Sequence, residues 1–210
     1  MALSRNNIVW LVIYFSVLIW SAIYPKDYPT WALEVAPAVI ALLVMSFTRN
    51  KFPLTPLLYG LILFHCVVLM IGGHYTYAEV PAFNWLKEAF DLQRNNYDKL
   101  GHLTQGFVPA VVAREILLRL SPLRPGKLLF FIVCSIALGI SAFYEMIEWW
   151  VALVSEEAAE SFLGTQGYIW DTQSDMFWAM IGAITAQLLL NKWHDHQLQA
   201  LSRQHDISGL

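Results

Sequence analysis

The sequence predicts an all-α membrane protein, a polytopic bundle of about six transmembrane helices. Of its 210 residues 57% are hydrophobic and only 14% are charged, whereas a soluble domain usually carries about 25% charged residues. The apolar residues fall in long runs, and a spanning helix needs roughly 20 such residues in succession. Nine Trp, nine Tyr and twelve Phe supply the aromatic side chains that are enriched at membrane interfaces.

Six apolar runs are candidates for spanning helices within one integral membrane domain, residues 1–210. The first follows Arg5, and because no small-residue cleavage site comes after it, we interpret it as a retained helix rather than a signal peptide. Glu34 and Pro37 interrupt the start of the second run. Proline opens the third, a position that a helix tolerates. The predicted spans are about 8–24, 31–48, 54–73, 99–120, 127–151 and 171–191.

Two long loops, about 74–98 and 152–170, are predicted on the outer side of the membrane. Apolar residues recur at helical spacing in the first loop from Phe83 onward, which predicts a short interfacial helix. The second loop carries three glutamates between residues 156 and 160, which we interpret as a solvated face. Loops of this length are often functional lids or binding loops.

The distribution of Lys and Arg predicts the orientation. With the amino terminus inside, nine of the 13 basic residues lie on the inner side and four outside, as the positive-inside rule requires. Both termini are therefore expected in the cytoplasm of a bacterium, with the chain multi-pass in its inner membrane. His194 would then belong to a solvated end of the sixth helix. The net charge of −3 and the lack of a basic stripe argue against nucleic acid as a partner.

Acidic residues and one histidine gather near the outer ends of the last three predicted spans. Within each span the members are three or four residues apart, so they share one helix face. A rise of about 1.5 Å per residue places all three pairs at similar depth. Carboxylates bordering hydrocarbon usually face a cavity, a cation or one another, so we predict one polar site. The pairs are Asp98 and His102, Glu145 and Glu148, and Asp171 and Asp175.

Five carboxylates in one partly dry site need compensation by bound protons, a divalent metal ion or a cationic ligand. Carboxylates together with one imidazole suit Mg, Mn, Fe or Zn, whereas shared protons would give a coupled titration. The residue types alone leave these possibilities open. The candidate metal ligands are His102, Glu145, Glu148, Asp171, Asp175 and Asp98.

Several of these residues also have simpler structural interpretations. Asp98 and Asp171 are also candidates for helix N-caps. The two glutamates of the fifth span could instead form ion pairs with Lys99 or Arg94. Glu34 is interpreted as an acid at a helix start rather than as part of the site.

Three segments of the chain resemble those of known families. Residues 97–102, 143–148 and 170–175 are similar to those of the YjdF-type bacterial inner-membrane proteins, a family of unknown function. The D-K-x-x-H motif, the Glu-bearing helix and the D-x-x-x-D motif also resemble, in part, the VanZ-like proteins, which are linked to glycopeptide resistance. The resemblance implies an envelope role and supports the same polar residues, but it implies no reaction.

The leading functional hypothesis is an envelope enzyme that acts on a lipid-linked or cell-wall-related substrate. Glu145, Glu148, His102 and Asp175 would bind a metal or perform acid–base catalysis. A second hypothesis is a carrier or transporter coupled to protons or cations, and a third is a non-enzymatic scaffold. Transport requires polar residues through the membrane, and the inner halves of the last two spans are almost wholly apolar. That pattern favours a polar site confined to one side of the membrane.

Overall fold

The chain folds into α-helices throughout the part that the structure, a computed structural model, describes: residues 4–154 and 169–208. The predicted all-α class, a membrane helix bundle, is confirmed. The three glutamates of the second predicted loop lie outside the described residues. The helices are α1 (Arg5–Ala22), α2 (Tyr28–Thr48), α3 (Pro56–Tyr75), α4 (Pro81–Ala89), α5 (Tyr97–Leu120), α6 (Lys127–Val154) and α7 (Asp171–Ser208).

Four helices of the described chain, α1, α2, α3 and α6, are long and apolar enough to cross a membrane. Helices α5 and α7 are also long, but each carries charged residues along its length. The count of six spans therefore remains a prediction, because it depends on α5 and α7 crossing in the interior of the bundle. Pro37 lies inside α2 without ending it. The short helix α4 occupies the loop in which apolar spacing predicts one.

Helices α5 and α7 form the most extensive interface of the described bundle. Glycines allow the two backbones to approach closely. A methyl group added at Gly106 would overlap the carbonyl oxygen of Ala179, and one added at Gly182 would overlap the carbonyl oxygen of Leu103. Close approach through small residues is a common way for membrane helices to associate. This interface holds the beginnings of α5 and α7 side by side.

The other helices pack around this pair. Helix α6 packs against both α5 and α7, α3 packs against α5, and α1 and α2 pack against α3. Helices α2 and α6 consequently face each other across a cleft floored by α3 and α5. The end of the bundle at which α5 and α7 begin and α6 ends is called the site end below.

Candidate functional site

His102 of α5 lies among three carboxylates at the site end. Its Nε2 atom is 3.4 Å from Asp98 Oδ1, 3.8 Å from Glu145 Oε1 and 3.8 Å from Asp175 Oδ2. Asp98 is one turn before His102, Glu145 comes from α6 and Asp175 from α7. The side chains of His102, Glu145 and Asp175 are 7%, 6% and 3% exposed. Three helices thus direct acidic oxygens toward one buried imidazole nitrogen.

The other ring nitrogen indicates which tautomer a neutral His102 would adopt. Nδ1 lies 3.0 Å from Oε1 of Gln105, one turn further along α5. An amide oxygen only accepts hydrogen bonds, so in this arrangement Nδ1 carries a hydrogen. In a neutral ring, the lone pair of Nε2 would then point toward three carboxylates. That arrangement is repulsive unless Nε2 holds a proton or coordinates a metal ion.

Two carboxylate oxygens beside His102 are unsatisfied. Among the described residues, Glu145 Oε1 and Asp175 Oδ1 are buried without a hydrogen-bond partner. An unpaired buried polar group costs about 1–3 kcal/mol. Asp98, His102 and Asp175 each offer one ligand atom, and these atoms all lie within 4.8 Å of one another. A cation between them would be coordinated by carboxylate oxygens of Asp98 and Asp175 together with the imidazole.

Asp171 forms an ion pair with Arg94. The Nη1 atom of Arg94 donates to Asp171 Oδ1 at 2.6 Å, and Nη2 lies 3.4 Å from Asp98 Oδ2. Asp171 therefore pairs with a guanidinium at the rim of the cluster. The N-cap residue of α5 is Asn96, so the interpretation of Asp98 as an N-cap is wrong. Asp98 instead has one carboxylate oxygen near Arg94 and the other near the His102 imidazole.

Glu148, although only three residues from Glu145, lies in different surroundings. It lines the cleft between α2 and α6, a cavity of about 230 Å³ that His102 also borders. Across the cleft, Tyr144 Oη donates to Glu34 Oε2 at 2.7 Å. The interpretation of Glu34 as an acid at a helix start is wrong, because Asp27 caps α2 and Glu34 is 6% exposed.

The structure thus divides the six predicted residues into three groups. Asp98, His102, Glu145 and Asp175 come together, Asp171 pairs with Arg94, and Glu148 faces the cleft. Sequence reasoning missed Glu34, Tyr144, Gln105 as the partner of Nδ1, and Arg94 as the partner of Asp171. An acid inside an apolar run was the available signal for Glu34. Arg94 lies in the loop before α5, and the path of that loop cannot be inferred from the spacing of residues in the sequence.

A second buried polar cluster, called the distal cluster, lies at the opposite end of the α5–α7 interface. His194 is 1% exposed, so the prediction of a solvated tail there is wrong. The apolar run ends near residue 191, yet α7 continues and turns this histidine inward. The Arg114 guanidinium donates to His194 Nδ1 at 2.9 Å and to Asp195 Oδ1 at 2.7 Å. His194 Nε2 in turn lies 3.0 Å from Glu115 Oε2.

Glu115 is the centre of the distal cluster and is fully buried. It accepts hydrogen bonds from the backbone N–H of Thr55 at 3.1 Å and from its hydroxyl at 2.7 Å. Arg119 Nη1 donates to it at 2.8 Å. Both oxygens are therefore satisfied, unlike those of Glu145 and Asp175. The distal cluster accordingly has the character of a structural network that joins α5, α7 and the segment before α3.

The fold and the site define a helical membrane protein with a buried carboxylate–histidine cluster at one end of its bundle. Residues 6–196 match the family described as "Predicted membrane protein (DUF2238)", and the chain belongs to this family. It is 51% identical over 183 residues to "Inner membrane protein YjdF" of Escherichia coli (strain K12), covering 87% of this chain and 88% of that protein. No solved structure matches the chain.

These matches confirm the predicted relationship to YjdF-type proteins. The chain is an integral membrane protein of the inner membrane, embedded in the lipid bilayer. The likeness to VanZ-like proteins remains a prediction, because the matching family and relative do not include them.

Proposed function

We propose that this protein is an envelope enzyme that binds a divalent metal ion at His102, Asp98 and Asp175 and acts on a lipid-linked or cell-wall-related substrate. The observation that carries the proposal is the Nε2 atom of His102, which faces three carboxylates while Nδ1 is paired with Gln105. An ion held there would polarise a phosphoryl or carbonyl oxygen, or would lower the pKa of a bound water. In this proposal the site end faces the periplasm.

The surrounding residues have separate roles in this proposal. Glu145, whose Oε1 lies 3.8 Å from His102 Nε2, would serve as a further ligand or as a general base beside the ion. Glu148 faces the cleft and acts on the substrate as a general acid or base. Arg94 and Asp171 position Asp98 from the rim through the ion pair described above. Gln105 fixes the tautomer of His102.

Two alternative functions remain to be weighed against the enzyme. The distal cluster favours a proton- or cation-coupled carrier, because it gives polar groups at both ends of the α5–α7 interface. Between the two clusters, however, Gly106 and Gly182 let the backbones pack closely, and Ala179 and Ala183 are fully buried. That apolar layer argues against a continuous pathway. A scaffold would be expected to satisfy its buried acids, and Glu145 Oε1 and Asp175 Oδ1 lack hydrogen-bond partners in the described chain.

We expect purified wild-type protein to contain about one divalent ion per chain, the stoichiometry of a mononuclear site. His102→Gln and Asp175→Asn each remove a ligand and should lose the ion while remaining folded. Elemental analysis of protein purified without chelators measures the content. His74→Gln is the matched control, since His74 lies at the same end but hydrogen-bonds the Ser21 carbonyl. It should retain the metal.

Glu148→Gln separates the metal site from the substrate site. Since Glu148 is outside the group of ligand atoms formed by Asp98, His102 and Asp175, this variant should keep its metal and lose activity. A folded wild-type protein without metal would contradict the proposal, as would metal that persists in both His102→Gln and Asp175→Asn.

The proposed orientation has its own test. With both termini in the cytoplasm, as the distribution of Lys and Arg favours, a fluorescent protein fused after Leu210 should fluoresce in cells. Alkaline phosphatase fused at the same place should be inactive, because it requires the periplasm. A fusion in the predicted loop 152–170 should give the opposite pair of results. Phosphatase activity at the carboxyl terminus would invert the proposed topology.

A further inference from the structure

The cleft between α2 and α6 has one polar end and one apolar end. On α6 it is lined by Ile140, Tyr144 and Glu148, which are four residues apart and so form one row along the helix. Glu148 and Glu34 lie at the site end of the cavity, while Ile140 lies about 12 Å further into the bundle by helical rise. The cleft is therefore polar at the site end and apolar deeper in the bundle, the same arrangement as a lipid molecule in one leaflet of the bilayer.

The apolar end of the cleft reaches the outer surface of the bundle. Ile140 and Phe143 line the cavity and are also 40% and 55% exposed. Exposed apolar side chains on a helix long enough to span the membrane face lipid. An acyl chain can therefore enter between α2 and α6 without leaving the hydrocarbon phase.

The polar end is complementary to a cation. It presents the carboxyl groups of Glu34 and Glu148 and the phenols of Tyr77 and Tyr144 beside the Asp98–His102 pair, and no Lys or Arg lines this cavity in the described chain. Burial raises the pKa of Tyr77 well above its usual value, so its hydroxyl stays protonated. Such a lining accepts hydrogen bonds from an ammonium group.

We propose that this cleft binds a membrane lipid whose head group ends in a primary amine. The ammonium group lies between Glu34 and Glu148, and an acyl chain lies along Ile140 and Phe143. The proposal deepens the proposed function, on which it rests in one respect: His102 borders the same cavity, so the bound head group is presented to the metal site as substrate. Binding itself does not require the metal.

The test is a lipid titration of the purified full-length protein in detergent, followed by native mass spectrometry. Phosphatidylethanolamine and phosphatidylglycerol with identical acyl chains are compared, because only the first has an amine. We expect phosphatidylethanolamine to bind about tenfold more tightly, the effect of one charge-assisted hydrogen bond. Glu34→Gln and Glu148→Gln should each weaken its binding by about tenfold. Glu88→Gln, at an exposed glutamate of α4, should have no effect.

A steric variant tests the location of the acyl chain. Ile140→Trp fills the apolar end from the lipid side, where a larger side chain is tolerated, and should abolish specific binding while metal content stays unchanged. Equal binding of the two lipids, or phosphatidylethanolamine binding that neither Glu34→Gln nor Ile140→Trp weakens, would overturn the inference. Measuring metal in the same samples separates the two proposals. If the protein contains metal but binds the two lipids equally, only the lipid inference is refuted. If it prefers phosphatidylethanolamine but contains no metal, only the proposed metal enzyme is refuted.

Discussion

Replacing Glu115 with leucine is expected to lower the free energy of unfolding by about 3–5 kcal/mol, the usual cost of breaking a buried ion pair from one side. Leucine has a similar volume, so the loss comes from electrostatics rather than from a cavity. The variant would leave buried donors of Thr55 and His194 without their acceptor. Glu115 itself is 0% exposed, so water cannot replace the missing carboxylate.

Denaturant titration of the purified protein in mixed micelles measures this change. Glu88→Leu provides the control, since that glutamate is exposed on α4, and its unfolding midpoint should stay close to the wild-type value. Thr55→Val should cost about 1 kcal/mol, because it removes one hydrogen bond and leaves the other donors in place. A Glu115→Leu variant as stable as the wild type would show that the distal cluster does not hold α5 to α7.

The glycines of the α5–α7 interface are expected to tolerate no side chain. Gly106→Ala and Gly182→Ala should each destabilise the protein by about 1–3 kcal/mol, the usual cost of overpacking. In both positions the new methyl group would meet backbone of the opposite helix. Backbone cannot rotate away as a flexible side chain can, so the helices must separate. Because the site end depends on the same interface, metal binding should weaken as well.

Gly60→Ala and Gly139→Ala are matched controls. Both glycines lie within helices long and apolar enough to span a membrane, and a methyl group at either meets nothing within 4 Å. Alanine also favours a helix over glycine by about 1 kcal/mol, so these variants should be neutral or slightly stabilised. Thermal unfolding of the four variants in parallel would distinguish the effects. Similar midpoints in all four would argue against close packing of α5 on α7.

Much of the architecture follows from the sequence because apolar run length and helical periodicity are local properties. The spacing of Asp98 and His102, and the equal depth of three acidic pairs, predict a common polar site at one end. The structure brings His102 together with acids from α6 and α7, as that spacing suggests. Whether these residues bind metal remains a prediction.

The remaining features depend on which helices are neighbours, and local patterns do not contain that information. Glu34 enters the cavity because α2 lies across the cleft from α6, far away in sequence. His194 is buried because α7 continues past its apolar run and keeps a polar face against α5. Hydropathy alone treats such a segment as solvated. In both cases the polar residue found a partner contributed by another helix, which offset the cost of its burial.

The spacing of the two polar clusters along α7 has a consequence for the surrounding lipid. Asp175 and His194 are 19 residues apart, about 28 Å along an α-helix, and a typical hydrocarbon core is about 30 Å thick. If α7 crosses the membrane as predicted, this spacing matches a bilayer of ordinary thickness. In shorter or longer lipids, hydrophobic mismatch would require the bundle to tilt or the bilayer to deform. Acyl-chain length is thus a variable to control in any reconstitution, because it determines whether both clusters reach the membrane interfaces.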